Sequence, residues 1–328
     1  MKKIDFLIVT PPKASLGKPI AKTLKQMNFQ VEVFNDELEG FNNKISKLFP
    51  PYREFLINNI NEKLINLVVK LQPKFVFIMK GKNIKLATLN KIRGQGIKTI
   101  NLFPEYISHW KSMSYLAPVY DYFLIPCYYV LNQAKKEGFA NFYYLTFAAD
   151  LSKNSPYPAV DKYLYDVTFI GSVNNDYYPE RVKFLSALTD FDLHIWGNKG
   201  WLDTPLKKFY HNRPSDEKMF DIYRHSKIVV NIDYHAQPID GVNIRPFEVT
   251  ACGSLLVNDA VSPDIFRLFK ENEEFVPFKD ENDLPTKVKY YLGHEAERLK
   301  IARAGFEKTK QLYTWLDRIE ELLKIIKF

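Results

Sequence analysis

The sequence of 328 residues contains only two cysteines, Cys127 and Cys252, and no apolar run long enough to cross a membrane, which takes about 18 residues. Two cysteines so far apart form neither a disulfide framework nor a cysteine-based zinc site, and they favour a reducing compartment. The first apolar stretch meets Pro11 and Pro12 after a few residues, which is too short for a signal peptide. These absences predict a soluble, cytoplasmic protein.

Several motifs of well-known enzyme classes are also absent. No Gly-x-Gly-x-x-Gly follows the first apolar stretch, where residues 10–17 read Thr-Pro-Pro-Lys-Ala-Ser-Leu-Gly, so a dinucleotide-dependent oxidoreductase is disfavoured. The sequence has no P-loop and no Gly-x-Ser-x-Gly elbow. Its six histidines are scattered, so they indicate no catalytic zinc site.

The composition is that of a folded protein, with 46% hydrophobic and 26% charged residues. These values exclude long disordered, collagenous and coiled-coil chains. At about 100–200 residues per domain, the length predicts two domains, each large enough to bury its own core.

Positive charge is concentrated in one half. Residues 1–150 hold 21 Lys and Arg against 11 Asp and Glu, whereas residues 151–328 hold 25 against 27. An excess of this kind favours an anionic partner for the first half, such as a phospholipid surface, a phosphorylated acceptor or nucleic acid. Lysines that merely solvate helix faces are an equally open interpretation. Because no nucleic-acid motif accompanies the charge, no nucleic-acid partner is expected.

The first half alternates short apolar runs with amphipathic segments, which predicts a parallel sheet covered by helices on both faces. The predicted strands are residues 4–9, 31–34, 75–79, 97–102, 120–125 and 143–146, and the predicted helices are residues 18–27, 52–71, 84–93 and 129–137.

The same alternation restarts after a polar segment with two prolines, residues 152–159, which is the best linker candidate. The sequence thus predicts an α/β protein with two Rossmann-like domains facing a central cleft, residues 1–155 and 156–312, followed by a last helical segment, residues 313–328. The strands predicted in the second half are residues 167–170, 193–196, 228–233 and 254–258, and the helices are residues 179–188, 216–223, 246–252 and most of the chain from 283 onward.

Motifs in the second half resemble one family. Asp-Val-Thr-Phe-Ile-Gly-Ser at 166–172, Arg181, Leu-His-Ile-Trp-Gly at 193–197 and Gly-Val-Asn-Ile-Arg-Pro-Phe-Glu-Val-Thr-Ala-Cys-Gly at 241–253 are similar to those of the spore-maturation, CgeB-like glycosyltransferases. That family belongs to the GT-B superfamily, and the resemblance covers about residues 166–323. It implies a GT-B fold, a nucleotide-diphosphate sugar bound by the second domain without a metal ion, and an acceptor bound by the first. It also implies that the C-terminal helix packs back on the first domain.

The resemblance places the donor diphosphate near Gly171, Ser172 and Arg181. Gly171 ends a predicted strand, where a residue without Cβ lets backbone N–H groups approach a phosphate; an ordinary turn is the alternative. Arg181 begins the next helix and would add positive charge to the same pocket, or lie solvated on the helix.

In GT-B transferases of this pattern, the Glu of Phe-Glu-x-x-Ala-x-Gly binds the ribose hydroxyls, and this position is Glu248. A carboxylate suits a vicinal diol because it accepts two hydrogen bonds. Asp240 lies eight residues earlier, where many relatives have a Glu that faces the donor sugar. We expect Asp240 to face the sugar, unless it is only a loop residue before Gly241.

Four further residues are expected near the nucleotide. Arg245 precedes Pro246 at a predicted helix start and would compensate phosphate charge, or be only a surface arginine; Gly241 and Asn243 lie in the same motif. Asp216, in the loop 211–216, is expected near the base or as a helix cap, as is Ser215. Trp196 favours a core position over a stacking platform for the base.

The sequence specifies the catalytic group less clearly than the donor-binding residues. An inverting enzyme needs a general base, and Glu105 and His109 follow a strand of the first domain that would border the cleft. The Asp-x7-Glu pattern leans toward a retaining reaction, which requires no such base. Thr10, Lys13 and Ser15 follow the first strand of the same domain and are expected to face the cleft. Lys13, together with Lys80 and Lys82 after the third strand, is a candidate for binding an anionic acceptor or the diphosphate; exposed lysines without such a role are the alternative.

The expected donor substrate is therefore a nucleotide sugar of unknown base, with no other cofactor and no metal. The acceptor would be a glycan, a lipid-linked compound or a protein, and the basic first half allows peripheral association with the inner face of a membrane. The alternative is a GT-B-shaped nucleotide- or glycan-binding protein without turnover.

Overall fold

The computed structural model describes residues 4–11, 16–38, 48–151, 162–174, 178–233 and 241–328. The chain divides into two compact units, Met1–Thr146 with Ile319–Phe328, and Phe147–Arg318. The division follows Thr146 rather than residue 155, because Ala149 pairs with Thr314 and joins residues 147–149 to the second unit. The predicted linker, residues 152–159, lies outside the described residues.

The first unit contains a parallel six-stranded sheet in the order β2-β1-β3-β4-β5-β6. Strands such as β1 are buried along their whole length, which explains why they read as continuous apolar runs. Its strands are β1 Phe6–Val9, β2 Val31–Phe34, β3 Phe75–Met79, β4 Lys98–Leu102, β5 Tyr122–Ile125 and β6 Phe142–Tyr144. Its helices are α1 Gly17–Gln26, α2 Pro50–Leu71, α3 Leu86–Arg93, α4 Trp110–Leu116 and α5 Tyr128–Lys136, with short 3₁₀ turns at Ile107–His109 and Ala117–Val119.

The second unit contains a second parallel six-stranded sheet, in the order β12-β11-β10-β7-β8-β9. Its strands are β7 Tyr165–Ile170, β8 Leu193–Gly197, β9 Tyr210–Asn212, β10 Ser226–Asn231, β11 Leu255–Asp259 and β12 Val276–Phe278. Its helices are α6 Pro179–Ser186, α7 Asp216–Arg224, α8 Arg245–Ala251, α9 Asp264–Leu268, α10 Asp283–Gly293, α11 Glu295–Leu312 and the start of α12, Trp315–Ile326, with 3₁₀ turns at Lys199–Asp203 and Lys207–Phe209.

The two parallel sheets with helices between their strands confirm the predicted α/β fold class. Four short elements were not predicted: α4, β9, α9 and β12. The last strand of the first unit begins at Phe142 and ends at Tyr144, rather than spanning 143–146.

Each sheet has a point at which the chain reverses its direction of strand addition. In the first unit this point lies between β1 and β3, and in the second unit between β7 and β10. Loops that leave the carboxyl ends of such neighbouring strands separate and form a crevice, where open α/β sheets bind ligands. The fold therefore marks one candidate binding edge in each unit.

The last residues of the chain pack at the opposite edge of the first sheet. The Phe328 ring lies 5.6 Å from that of Phe6 and 5.7 Å from that of Phe75, both at the amino ends of their strands. Phe29 meets the same ring edge-on at 4.9 Å, and the Tyr122 hydroxyl donates to the Ile326 carbonyl at 3.4 Å. Residues 319–328 thus complete the first unit at the edge away from its crevice.

Candidate functional site

Arg181 holds the crevice of the second unit together. Its side chain is buried, and its guanidinium donates to the Ser172 carbonyl at 2.7 Å and to the Ile232 carbonyl at 2.9 and 3.1 Å. Ser172 follows β7 and Ile232 follows β10, so one side chain links the two strands between which the crevice opens. Arg181 is not a solvated helix arginine. Its donors bind the backbone carbonyls of Ser172 and Ile232.

Gly171 allows a close approach of backbone, although not in the way the sequence suggests. Its N–H donates to the Trp196 carbonyl at 2.9 Å, so this N–H is used within the sheet. A Cβ on Gly171 would lie 2.7 Å from the Phe169 ring, and one on Gly197 would lie 2.1 Å from the Gly171 carbonyl oxygen. Packing of the strand ends therefore requires both glycines. Ser172, exposed at the next position, is the residue of this turn that faces solvent.

A network of buried polar side chains follows β10 and β11. Asp233 Oδ1 accepts the backbone N–H of Asn243 at 3.0 Å, and Asn243 Nδ2 donates to Asn231 Oδ1 at 3.1 Å. Asn231 in turn donates to Asn258 at 2.6 Å, and Asp259 Oδ2 accepts the Asp233 N–H at 2.7 Å. Since buried polar groups that are fully hydrogen-bonded fix a unique geometry, this network holds the start of the 241–245 loop against the strand ends.

The loop carries an ion pair onto α8. Asn243 Oδ1 accepts the Arg245 N–H at 2.7 Å, and the Arg245 guanidinium pairs with the carboxylate of Glu248 one turn further on. The Glu248 side chain is 8% exposed and that of Arg245 29%, so the pair is mostly shielded from water. Glu248, the residue expected to bind ribose, is therefore held in position by a cation.

The surroundings of Arg245 favour its charge. Burial disfavours the charged guanidinium, but the Glu248 carboxylate outweighs it and raises the pKa of Arg245 above its usual value. Burial also raises the pKa of Tyr223 above its ordinary value, so this phenol stays neutral beside the pair. Arg245 Nη1 further lies 2.9 Å from Met219 Sδ on α7.

Asp216 lies at the start of α7 and is exposed. Its negative charge makes a small contribution to the raised pKa of Arg245. The cap of this helix is Ser215, whose hydroxyl accepts the Lys218 N–H at 3.3 Å. Asp240 lies outside the described residues, whereas Gly241 is buried at the beginning of the loop.

Trp196 is a packed side chain rather than an open platform. It is 7% exposed and stacks on His211 at 4.6 Å and on His194 at 5.7 Å. Burial, followed by the neighbouring His194, lowers the pKa of His211.

The two candidate bases of the first unit lie together after β4. Glu105 pairs with Lys80 at the end of β3, and His109 Nδ1 lies 3.9 Å from Glu105 Oε2. The Ser108 hydroxyl lies 3.3 Å from the same histidine nitrogen. Lys13 and Ser15 lie outside the described residues. The Lys80 ammonium group therefore engages the Glu105 carboxylate, a contact that the sequence did not predict.

Sequence reasoning missed Asn231, Asp233, Asn258 and Asp259. A signal was present, because each pair of polar residues ends or directly follows an apolar run that forms a central strand. It also missed Asp36, a buried acid after β2 that is 2% exposed.

Within the described ranges, no group of three or more His, Cys, Asp or Glu side chains is arranged to hold a metal ion. Among the same residues, none of the helices is both long enough and apolar enough to cross a bilayer. Both cysteines are free thiols.

Comparison with known proteins gives a family match for the second half and a fold match for the whole chain. Residues 180–324 match a family described as glycosyl transferase-like. No curated protein matches the sequence. A structure of Alr3699/HepE from Anabaena in complex with UDP and glucose is similar over 99% of both chains, with 9% identity and a TM-score of 0.67.

Two other solved structures are similar over nearly their whole length. The structure of a glycosyltransferase from Rickettsia africae ESF-5 is similar over 100% of both chains, with 13% identity and a TM-score of 0.68. The structure of a putative UDP-N-acetylglucosamine 2-epimerase from Listeria monocytogenes is similar over 99% of this chain and 96% of the epimerase chain, with 12% identity and a TM-score of 0.63. Because a transferase and an epimerase share the fold, the fold alone does not select the reaction. The chain has two Rossmann-like sheets of the GT-B fold class, and its residues 180–324 match the glycosyl transferase-like family.

Proposed function

We propose that the protein is a glycosyltransferase that takes a sugar from a nucleotide-diphosphate donor and transfers it to a hydroxyl of a glycan, a lipid-linked compound or a protein. The observation that carries the proposal is the Arg245–Glu248 pair, which Asn243 and Asp233 anchor at the crevice of the second sheet. The glycosyl transferase-like family match, residues 180–324, includes all four of these residues.

The donor site has a part for each piece of the nucleotide. Glu248 would accept hydrogen bonds from the two ribose hydroxyls, and Arg245 would compensate the diphosphate. Ser172 lies after β7, close to Arg181, and would face the phosphates with its exposed hydroxyl. Asp240 would face the sugar. The Anabaena neighbour whose structure contains UDP and glucose supports this choice of ligand.

In the reaction, an acceptor oxygen forms a bond to the anomeric carbon while the bond from that carbon to the diphosphate breaks. The acceptor proton leaves with the diphosphate or passes to a base. We favour the retaining course, in which Glu105 and His109 are not required as bases, and the engagement of Glu105 by Lys80 supports it. Proton NMR of the product would show the anomeric configuration of the donor; an inverted centre would instead point to a base.

The finer assignments are part of the same proposal. We assign the chain to the CgeB-like branch, with a metal-independent reaction in which cationic side chains stabilise the leaving diphosphate. The cytoplasm, including the inner face of a membrane, is the proposed location, since the first half is strongly basic.

The test is calorimetric titration with UDP, GDP and dTDP on the native protein and on Glu248→Gln. The amide keeps the shape of the side chain but loses the charge-assisted bonds to ribose, so we expect the preferred nucleotide to bind about 10–100-fold more weakly. Activity is followed by release of the nucleoside diphosphate from the corresponding donor sugar.

The matched control is Glu295→Gln. Glu295 pairs with Arg298 at 3.0 Å with the same three-residue spacing, but on α11. Its variant is expected to bind nucleotide as the native protein does. Failure of all three nucleotides to bind, or equal binding by the Glu248 variant, would refute the donor site.

A second candidate is a nucleotide- or glycan-binding protein of the same fold without turnover. Asp240, where many relatives have the longer Glu, is the observation that favours it. Nucleotide binding without any donor hydrolysis or transfer would support this candidate, and detectable release of nucleoside diphosphate would eliminate it.

A further inference from the structure

A cavity of about 340 Å³ opens at the crevice of the first unit. Its lining comes from the last residue of β3 and the residues that follow β1, β2 and β3, together with one residue of α2. The volume is at the lower end of small-molecule pockets, which suits a ligand of about monosaccharide size. Four of its lining residues matter most for its chemistry: Asp36, Arg53, Lys82 and Asn83.

Two residues of the lining each have a buried acceptor oxygen without a partner in the described part of the chain. They are Asp36, a residue that is 2% exposed, through its Oδ1, and Asn83 through its Oδ1. Because nearly all buried polar atoms in proteins are hydrogen-bonded, two such oxygens on residues that line one cavity favour a ligand that supplies the donors. Hydroxyl groups are suitable donors, because the amide oxygen of Asn83 and the carboxylate oxygen of Asp36 both accept hydrogen bonds from O–H groups.

The cavity also contains cations that no described residue engages. No hydrogen bond or ion pair joins the side chains of Arg53 or Lys82 to another described residue, whereas Lys80 is paired with Glu105. Glu37 is the other acid of the lining. An arginine and a lysine without protein partners, at one cavity, favour a ligand with an anionic group, such as a phosphate.

The cavity is rigidly built. Asn83 Nδ2 donates to the Asp36 carbonyl at 2.8 Å, and buried Asn61 of α2 donates to the Asn83 carbonyl at 2.8 Å. Lys80 and Gly81 both have left-handed backbones, with φ of 60° and 73°. Such a conformation in a lysine is strained, and strain of this kind is concentrated at binding sites.

We propose that this cavity binds a hydroxylated monophosphate, with hydroxyl groups at Asp36 and Asn83 and the phosphate at Arg53 and Lys82. The inference rests on the proposed function, in which this compound is the acceptor. The phosphate fixes the orientation of the ligand, and Asp36 and Asn83 select its hydroxyls.

The first test measures binding to the native protein without nucleotide, by calorimetry, with three probes: glucose 6-phosphate, glucose and inorganic phosphate. We expect glucose 6-phosphate to bind at least 10-fold more tightly than either of the others. Absence of glucose 6-phosphate binding, or equal binding of inorganic phosphate, would overturn the proposal, because the cavity would then hold water or any anion.

Variants separate the two halves of the ligand. Arg53→Gln and Lys82→Gln are each expected to weaken glucose 6-phosphate binding at least 5-fold, whereas Asp36→Asn weakens glucose 6-phosphate but leaves inorganic phosphate unchanged. The matched control is Lys91→Gln, on an exposed position of α3, which should bind as the native protein does. Weakening by the control to the same extent would refute the assignment.

Two further arms settle the source of the ligand and its dependence on the donor site. Sedimentation with phosphatidylcholine vesicles, with and without phosphatidylinositol, detects a lipid headgroup, and soluble binding alone indicates a free sugar phosphate; either result supports the chemistry. Nucleotide titration of the same variants should be unchanged. If the native protein binds glucose 6-phosphate but no nucleotide, only the donor site is refuted. If it binds a nucleotide but no glucose 6-phosphate, only the assignment of this cavity is refuted.

Discussion

At the scale of single residues, Asp36 and Glu248 show two ways of burying a carboxylate. Glu248 is paired with Arg245, whereas Asp36 keeps one oxygen without a partner in the described residues. Burial raises the pKa of Asp36 from 3.8 to about 6, with a smaller contribution from Glu37. A buried carboxylate that lowers the stability of the folded protein when it ionises is retained where ligand binding requires it.

The first prediction concerns the pH dependence of stability. Since the folded pKa of Asp36 is raised, its contribution to stability is present below pH 3.8 and is lost as the pH rises through about 6. An amide does not titrate, so Asp36→Asn should gain up to about 3 kcal/mol in unfolding free energy between pH 4 and pH 8, relative to the native protein. Urea unfolding at the two pH values measures the difference.

The titratable neighbours of Asp36, which are Glu37, Arg53, Lys80, Lys82 and Tyr120, are the same in both proteins. The control is Glu32→Gln, an exposed carboxylate in β2, for which we expect no gain between the two pH values. An equal stability difference at pH 4 and pH 8 for Asp36→Asn would contradict the prediction.

At the scale of elements, Arg181 binds the ends of two strands rather than a helix face. The second prediction is that Arg181→Gln lowers the unfolding free energy by about 2–4 kcal/mol, because the buried Ile232 carbonyl and the Ser172 carbonyl lose their donors. It should also weaken nucleotide binding, since the turn at Ser172 is no longer held. Urea unfolding and calorimetry measure both.

The control is Lys183→Gln, two residues further along α6. Lys183 forms a surface ion pair with Glu281 at 2.9 Å, which is worth at most about 1 kcal/mol. A similar loss for both variants would show that Arg181 acts only through the helix it belongs to.

Elements with a strong apolar pattern were predictable, whereas short ones were not. The central strands and the long helices carry their own signal, because a strand buried on both faces must be apolar throughout. β9 and β12 have three residues each, and their pairing with β8 and β11 supplies the order that their sequence lacks. α4 lies after a 3₁₀ turn and shows too short a pattern to recognise.

The candidate site was predictable in part for the same reason. Glu248 and Arg245 lie three residues apart in one motif, so the sequence places them together. Arg181 meets the Ile232 carbonyl 51 positions away, and Asn83 meets the Asp36 carbonyl across 47. Contacts at such separations depend on the strand order, which the pattern of one sequence does not specify.

At the scale of the whole molecule, the first unit is built from two separated stretches of the chain. The third prediction is that Phe328→Ala lowers the unfolding free energy by about 1–2 kcal/mol, less than for a fully buried ring, because the side chain is 47% exposed. Its stacking on Phe6 and Phe75 is lost, while the proposed donor site lies in the other unit. Nucleotide affinity should therefore be unchanged.

The control is Leu316→Ala. Leu316 lies in α12 and is 48% exposed, much like Phe328 just beyond the end of that helix, but it belongs to the second unit. We expect a smaller loss of stability than for Phe328→Ala. A larger loss, or weaker nucleotide binding by the Phe328 variant, would contradict the division described above.

The split first unit has a consequence for synthesis on the ribosome. Residues 1–146 emerge first, yet the segment that covers the amino ends of β1 and β3 is made only after the whole second unit, residues 147–318. Until then the rings of Phe6, Phe29 and Phe75 lack the Phe328 cover, and exposed apolar surface of this kind is what chaperones recognise in nascent chains. The second unit can fold as soon as it emerges, so the unit that is translated first is the last to be completed.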